Sequence, residues 1–163
     1  MLIMDIVETK RLSEHKYRVR EIRRLQQEIG IISSKLGSPS GVHYSDMPKN
    51  RNPFDKMGML VSRKLEKEKH LHKIMVVAQK EAGILEKVIQ QISKLPEPTK
   101  GANNALYQDI LRYHYLHDLS IQEIVYLINA DNDDLIDNYD NELRLLYKRQ
   151  DEALRKFIKC QKI

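Results

Sequence analysis

Cysteine, tryptophan and phenylalanine are scarce in this sequence of 163 residues. The single cysteine, Cys160, cannot form an internal disulfide, so the chain is not a disulfide-bonded secreted scaffold, and a zinc ribbon is excluded as well. Aromatic residues make up 6% of the chain and charged residues 31%. This composition is typical of long helices packed along narrow seams rather than of a β-sandwich or a doubly wound sheet.

Long apolar runs are missing too. Nowhere do about 18 apolar residues follow one another, as a membrane span would require. Asp5 and Glu8 interrupt the first residues before the apolar region of a signal peptide forms. We therefore expect a soluble protein of the cytoplasm, with no contact to a membrane.

Two long segments, residues 5–36 and 54–95, carry apolar side chains at alternating spacings of three and four. This spacing places them on one side of a helix that packs lengthwise against a partner. The breaker residues 37–41, with Pro48 and Pro53 after them, predict a long loop between the helices. We predict an antiparallel, coiled-coil-like hairpin over residues 1–95 that serves in oligomerisation or partner binding.

Residues 96–103 contain two prolines and a glycine and predict a hinge before a domain at residues 104–163. That domain holds three helical patterns, at residues 104–117, 120–128 and about 141–159. The second pattern begins with Ser120 and Glu123, the two partners of a capping box. The predicted fold is all-α: the long hairpin followed by a small domain of helix-turn-helix type.

One segment carries a family resemblance. In residues 111–124, a helix ending in Arg112-Tyr113 is followed by a polar turn, Ser120 and the pair Glu123-Ile124. This pattern resembles the helix-turn-helix in region 4 of bacterial sigma factors. It resembles more closely the small phage and mobile-element regulators of Gram-positive bacteria that are related to ArpU, RinA and LtrC.

Two further segments follow the same pattern. Residues 47–49, Met-Pro-Lys, with residues 55–58 after them, resemble the loop that joins the two long helices of these regulators. Residues 147–149, Tyr-Lys-Arg, resemble the end of their recognition helix. The resemblance implies a transcriptional regulator of late or packaging genes that binds double-stranded DNA in the bacterial host cell. RNA polymerase or another phage or host protein is then a further partner.

Charge is unevenly distributed in the C-terminal domain. Residues 113–141 hold seven acidic residues and no lysine or arginine, whereas residues 142–163 hold seven basic and three acidic ones. The predicted second helix and recognition helix are separated by an acidic insertion at residues 129–141, a departure from the three or four residues of a compact helix-turn-helix. Its carboxylates repel DNA unless the insertion folds away from it.

The candidate DNA-binding residues lie on both sides of this insertion. We expect Arg144, Lys148 and Arg149 to share one sector of the last helix, where they contact phosphates or base edges together with Arg155. Ser120 and Gln122 are candidates for phosphate contacts at the start of the supporting helix. The alternative is that the basic side chains are only solvated and that Ser120 only caps its helix.

A second function remains open. A row of carboxylates imitates a phosphate backbone, so the insertion is a candidate surface for a protein partner. The chain is then a non-catalytic interaction module or inhibitor with a degenerate helix-turn-helix. The candidate residues are Asp131, Asp133, Asp134 and Asp137. In either case we expect a homo-oligomer, because a pair of long helices leaves part of its apolar surface uncovered.

Catalytic and metal-binding patterns find no support in the sequence. It contains no glycine-rich phosphate loop and no nucleophile elbow, so we expect neither an enzyme nor a cofactor. His114 and His117, with Asp118 beside them, lack the further ligand that zinc requires, so no metal is expected. The tyrosines of the C-terminal domain are interpreted as core residues of a domain without tryptophan.

Overall fold

The computed structural model describes residues 2–37, 53–98, 101–131 and 133–162, and all regular structure in these ranges is helical. The predicted all-α class is confirmed. The helices are α1 (Leu2–Gly37), α2 (Pro53–Gln91), α3 (Asn104–Leu111), α4 (Ile121–Ile128) and α5 (Leu135–Gln161). A 3₁₀ turn, Ile92–Lys94, follows α2, and a π-helical turn, Arg112–Leu116, follows α3.

The predicted loop between α1 and α2 lies outside the described residues, as does its Met-Pro-Lys motif at 47–49. Pro53 is the exception, because it is the first residue of α2. Proline suits this position, since the first helical amide has no partner within the helix and the ring fixes φ near its helical value.

The start of α5 differs from the prediction. The helix begins at Leu135, so only residues 129–134 connect α4 to α5, and the second half of the predicted insertion is helical. Leu135 is buried in the core, and Tyr139 and Leu143 pack against the same cluster one and two turns later. Because these apolar residues recur at helical spacing on the buried side, residues 135–143 are helical although their exposed side is acidic. The connection is therefore closer to that of a helix-turn-helix than the sequence indicated.

The chain divides into two compact units. Unit 1 comprises Met1–Val19 and Ala78–Ile163, and unit 2 comprises Arg20–Val77. Helices α1 and α2 each contribute to both units. The predicted boundary at residues 96–103 lies inside unit 1.

A first buried cluster explains why residues 96–103 do not separate two units. It joins side chains from the beginning of α1, the end of α2, the α3 region and α5, so the segments before and after the predicted hinge share one core. Its members are Leu12, Leu85, Ile89, Ile92, Tyr107, Leu111, Tyr115, Ala153, Phe157 and Cys160.

The described residues of the predicted hinge are anchored to α3 and α5. The Nδ2 atom of the buried Asn104 donates to the carbonyl of Leu95 at 2.7 Å. Lys156 Nζ donates to the carbonyl of Pro96 at 3.2 Å and to the Oδ1 atom of Asn104, and it lies 4.9 Å from the ring centroid of Tyr107. These contacts hold Pro96, which follows α2, and Asn104, which begins α3, against Lys156 of α5. Residues 99 and 100 lie outside the described residues.

A second buried cluster packs α3, α4 and α5 together. Its members are Ile110, Ile121, Ile124, Val125, Leu135 and Leu146. Asp118 makes the turn before α4 with a φ of 54°, in the left-handed region that aspartate tolerates better than most residues with a side chain. Helices α3, α4 and α5 thus share one apolar core.

Unit 2 consists of the remaining parts of α1 and α2. Glu28 of α1 forms an ion pair with Lys67 of α2, and Leu25 is the buried hydrophobic residue of this unit among the described residues. Several large apolar side chains of the unit are exposed: Ile31, Met57, Met59, Val61, Leu65, Val76 and Val77. In the described part of the chain, no helix combines the length and the hydropathy that crossing a bilayer demands.

Candidate nucleic-acid interface

The exposed side of α5 carries a row of cations, which we call the basic stripe. Bordered by the exposed carboxylate of Asp151, it consists of Arg144, Lys148, Arg155 and Lys159, all exposed. At about 100° per residue these positions fall within a sector of about 60°, and the stripe is about 22 Å long. Leu146, Ala153 and Phe157 on the other side of the helix are buried in the two clusters. The core therefore fixes the direction in which the stripe faces.

Arg149 lies outside the stripe. One residue beyond Lys148, it is rotated by about 140° from Arg144 around the helix, and it is half-buried. Its Nη2 atom donates to the carbonyl of Gly101 at 2.9 Å. The expectation that Arg144, Lys148 and Arg149 share one sector is correct for Lys148 and wrong for Arg149.

Ser120 and Gln122 lie at the start of α4, and Ser120 is engaged by a neighbouring carboxylate. Its Oγ accepts from the amide of Glu123 at 3.2 Å, and Glu123 Oε2 accepts from the Ser120 amide at 2.7 Å. The predicted capping box is confirmed. The Glu123 carboxylate occupies the place that a phosphate would take at this end of the helix. Gln122 is exposed beside it.

The acidic candidates lie before the stripe and at its beginning. The side chains of Asp131, Asp133 and Asp134, in the connection to α5, are exposed. Asp137 and Asp140, on the first two turns of α5, are exposed as well. The exposed side of α5 therefore changes sign between Asp140 and Arg144. Carboxylates occupy the turns of the helix that, in a helix-turn-helix protein, contact base edges.

A group of tyrosines lies on the outside of α4 and α5. The ring centroids of Tyr126 and Tyr139 are 5.4 Å apart, and 58% of Tyr126 and 47% of Tyr147 are exposed. Tyr107 and Tyr115 are core residues as expected, but Tyr126 and Tyr147 are not. The sequence contained a signal for Tyr126, because the apolar positions 121, 124, 125 and 128 of a helix capped by Ser120 leave residue 126 on the opposite side.

His114 has a structural role in unit 1. Its Nδ1 lies 2.9 Å from the carbonyl of Leu119, so this nitrogen carries the proton and donates it. The lone pair of Nε2 then accepts from Lys16 Nζ at 2.9 Å. The ring thereby ties α1 to the turn before α4. Among the described residues, no three His, Cys, Asp or Glu side chains are grouped closely enough to hold a metal ion.

The chain matches no model of a protein family, no curated protein and no solved structure. The functional interpretation accordingly depends on the geometry of the helices and on the residues they carry.

Proposed function

We propose that the chain is a DNA-binding transcriptional regulator of the phage or mobile-element type, acting through α3–α5. The observation that carries this proposal is the basic stripe: four exposed cations on one side of a helix whose other side is fixed in the core. Lysine and arginine in such a row neutralise phosphates and release counterions, which supplies most of the affinity for DNA.

The position of the charges determines how α5 approaches the duplex. Asp137 and Asp140 keep its first two turns away from phosphates, so contacts begin at Arg144 and continue toward Lys159. A stripe of about 22 Å reaches across a major groove, which is about 12 Å wide. Most contacts in this arrangement are to the DNA backbone. Sequence readout is left to residues beyond the second turn of α5.

The biological setting rests on the resemblance of residues 111–124. It places the protein in the control of late or packaging genes, with RNA polymerase or another phage or host protein as a second partner. A capped α4, followed after a connection of six residues by the long α5, supports this part of the proposal.

Self-association is part of the proposal. Met57, Val61 and Leu65 recur every four residues along α2 in unit 2 and are all exposed. A second copy of the chain that covers this row removes apolar surface from water, which a single pair of helices cannot do. The regulator then acts as a homo-oligomer.

The test is a titration of a fluorescently labelled DNA duplex with the full chain at increasing KCl. We expect the logarithm of the binding constant to fall linearly with the logarithm of the salt concentration. Arg155→Glu should weaken binding roughly tenfold near 0.1 M salt, since one phosphate contact is lost. Arg63→Glu, an equally exposed arginine of unit 2, is the matched control. Absence of binding at low salt, or equal effects of the two substitutions, contradicts the proposal.

A further inference from the structure

Two exposed tyrosines on α4 and α5 belong neither to the core nor to the basic stripe. We call Tyr126, Leu127, Tyr139 and Tyr147 the tyrosine patch. Tyr126, Leu127 and Tyr147 are exposed, and the half-buried Tyr139 packs against the second cluster with its ring centroid 5.4 Å from that of Tyr126. Exposed apolar side chains grouped in this way on a small domain mark a contact site.

Negative charge surrounds this patch on its α4 side. Burial, and after it Tyr126 and the carboxylate of Asp140, raise the pKa of the Tyr139 hydroxyl. No lysine or arginine occurs in residues 113–141, and the α4–α5 connection exposes the carboxylates of Asp131, Asp133 and Asp134. The faces of the tyrosine rings add the negative side of their quadrupoles. The patch therefore combines apolar area with a negative potential.

Apolar area together with negative charge determines which kind of partner can bind the patch. Phosphates of nucleic acid and anionic lipid headgroups are repelled by the carboxylates. The basic stripe of a second copy fits poorly, because Asp151 and Glu152 are exposed beside it and would meet the carboxylates of the patch. A guanidinium group fits best: it is planar, always charged and more weakly hydrated than an ammonium, so it stacks on tyrosine while pairing with a carboxylate.

We propose that the tyrosine patch binds an arginine-rich segment of another protein. Arginine side chains stack on Tyr126 and Tyr147, and nearby carboxylates, including that of Asp140, pair with the guanidinium groups. Tyr126 and Leu127 lie on α4, whereas Tyr147 lies on α5 between Arg144 and Lys148. Tyr126 is therefore the residue that separates this interaction from DNA binding by the stripe.

The experiment uses labelled nona-arginine and nona-lysine as probes, with binding to the full chain followed by fluorescence anisotropy. We expect nona-arginine to bind at least about threefold more tightly than nona-lysine, since only guanidinium both stacks and pairs. Tyr126→Ala should abolish this preference. Tyr126→Phe should retain it, because the ring stays in place. Asp140→Asn should weaken both peptides.

Matched controls keep the result specific. Tyr17→Ala removes another exposed tyrosine of unit 1, 69% exposed, and Glu66→Gln removes an exposed carboxylate of unit 2. Equal binding of the two peptides, or equal effects of Tyr17→Ala and Tyr126→Ala, overturns the proposal. Self-association that Tyr126→Ala weakens in sedimentation at low salt also overturns it, because the occupant is then a second copy.

Discussion

Lys156 shows how a cation on the helix that carries the basic stripe takes part in internal packing. Its ammonium group meets the carbonyl of Pro96, the amide oxygen of Asn104 and the ring of Tyr107. The Tyr107 hydroxyl in turn donates to Glu152, and burial, followed by this carboxylate, raises the pKa of Tyr107 to about 12. Lys156 thus connects the non-helical segment after α2 to α5.

Replacing Lys156 by methionine tests this role. The substitution keeps the length of the side chain but leaves the Asn104 and Pro96 oxygens without a donor, which costs about 1–3 kcal/mol. Lys159→Met, on the basic stripe, removes the same charge from an exposed position and should change stability by less than about 0.5 kcal/mol. Urea unfolding followed by circular dichroism measures both. Equal midpoints for the two variants would show that the Lys156 contacts contribute nothing.

His15 is buried between α1 and α2 in unit 1. Its Nδ1 lies 3.5 Å from Glu81, a carboxylate that is also paired with Arg18. Burial, the largest effect, lowers the pKa of His15, although the nearby carboxylate of Glu81 opposes it. The folded state therefore favours the neutral ring.

The consequence for stability has a definite sign. As the pH falls below about 6.5, the ordinary pKa of histidine, the unfolded chain takes up a proton that the folded chain resists, so stability falls with pH. We expect the thermal midpoint to decrease between pH 7.5 and 5.5, and His15→Gln to flatten this decrease. His72→Gln, at an exposed position, should leave it unchanged. A pH dependence that survives in His15→Gln must come from other groups.

At the level of the element, neighbouring residues of α5 have different roles because they point to different sides of the helix. Lys148 faces outward in the basic stripe, whereas Arg149 is held by the carbonyl of Gly101. Lys148→Ala should therefore reduce the salt-dependence slope of DNA binding by about one. Arg149→Ala should leave the slope unchanged and cost about 0.5–1.5 kcal/mol of stability. DNA titrations and urea unfolding of both variants measure this, and the reverse pattern would place Arg149 on DNA.

How far each element could be predicted depends on how local its determinants are. The start of α4 was predicted correctly because Ser120 and Glu123 contain the whole signal within four residues. The start of α5 was not predicted, because a run of aspartates is locally typical of a loop. The residues that make it helical, Leu135 and Tyr139, are buried by contacts with α3 and α4. Residues 96–103 contain two prolines and a glycine, which predict a hinge. Side chains of α5, which lies far away in the sequence, hold this segment in place. Contacts between distant segments cannot be read from local composition.

The candidate site follows the same rule. The basic stripe could be predicted from helical spacing alone, since Arg144, Lys148 and Arg155 need no tertiary information to share one side. The partner of Arg149 could not be predicted, and the exposure of Tyr147 depends on which side of α5 the core occupies. The sequence thus supplied the cations, and the packing decided which of them face outward.

For the whole molecule, the distribution of buried side chains predicts unequal local stability. Among the side chains that the structure describes, nearly all of the buried ones belong to unit 1, and Leu25 is the buried one of unit 2. Backbone amides of residues 20–37 and 56–77 should exchange with solvent faster than those of α3, because few apolar contacts oppose their local opening. Hydrogen–deuterium exchange at low protein concentration measures this difference, and equal protection of the two regions would contradict it.

The same measurement examines self-association. Protection of unit 2 should increase with protein concentration as a second copy covers Met57, Val61 and Leu65. Leu65→Glu should prevent the increase, since it places a charge in the apolar row. His70→Glu, at an exposed position elsewhere on α2, is the control. A concentration dependence that is the same in both variants would exclude this row as the interface.

The first buried cluster also fixes the order in which the protein matures during translation. Leu12 is synthesised long before Phe157, a member of the same cluster. The part of α1 that belongs to unit 1 therefore lacks its core partners during synthesis, although unit 2 has already been made. Domains usually fold in order of synthesis, N-terminal first. Unit 1 instead closes only after translation has passed α5, so a ribosome that stalls within α5 leaves the apolar side of α1 available to chaperones.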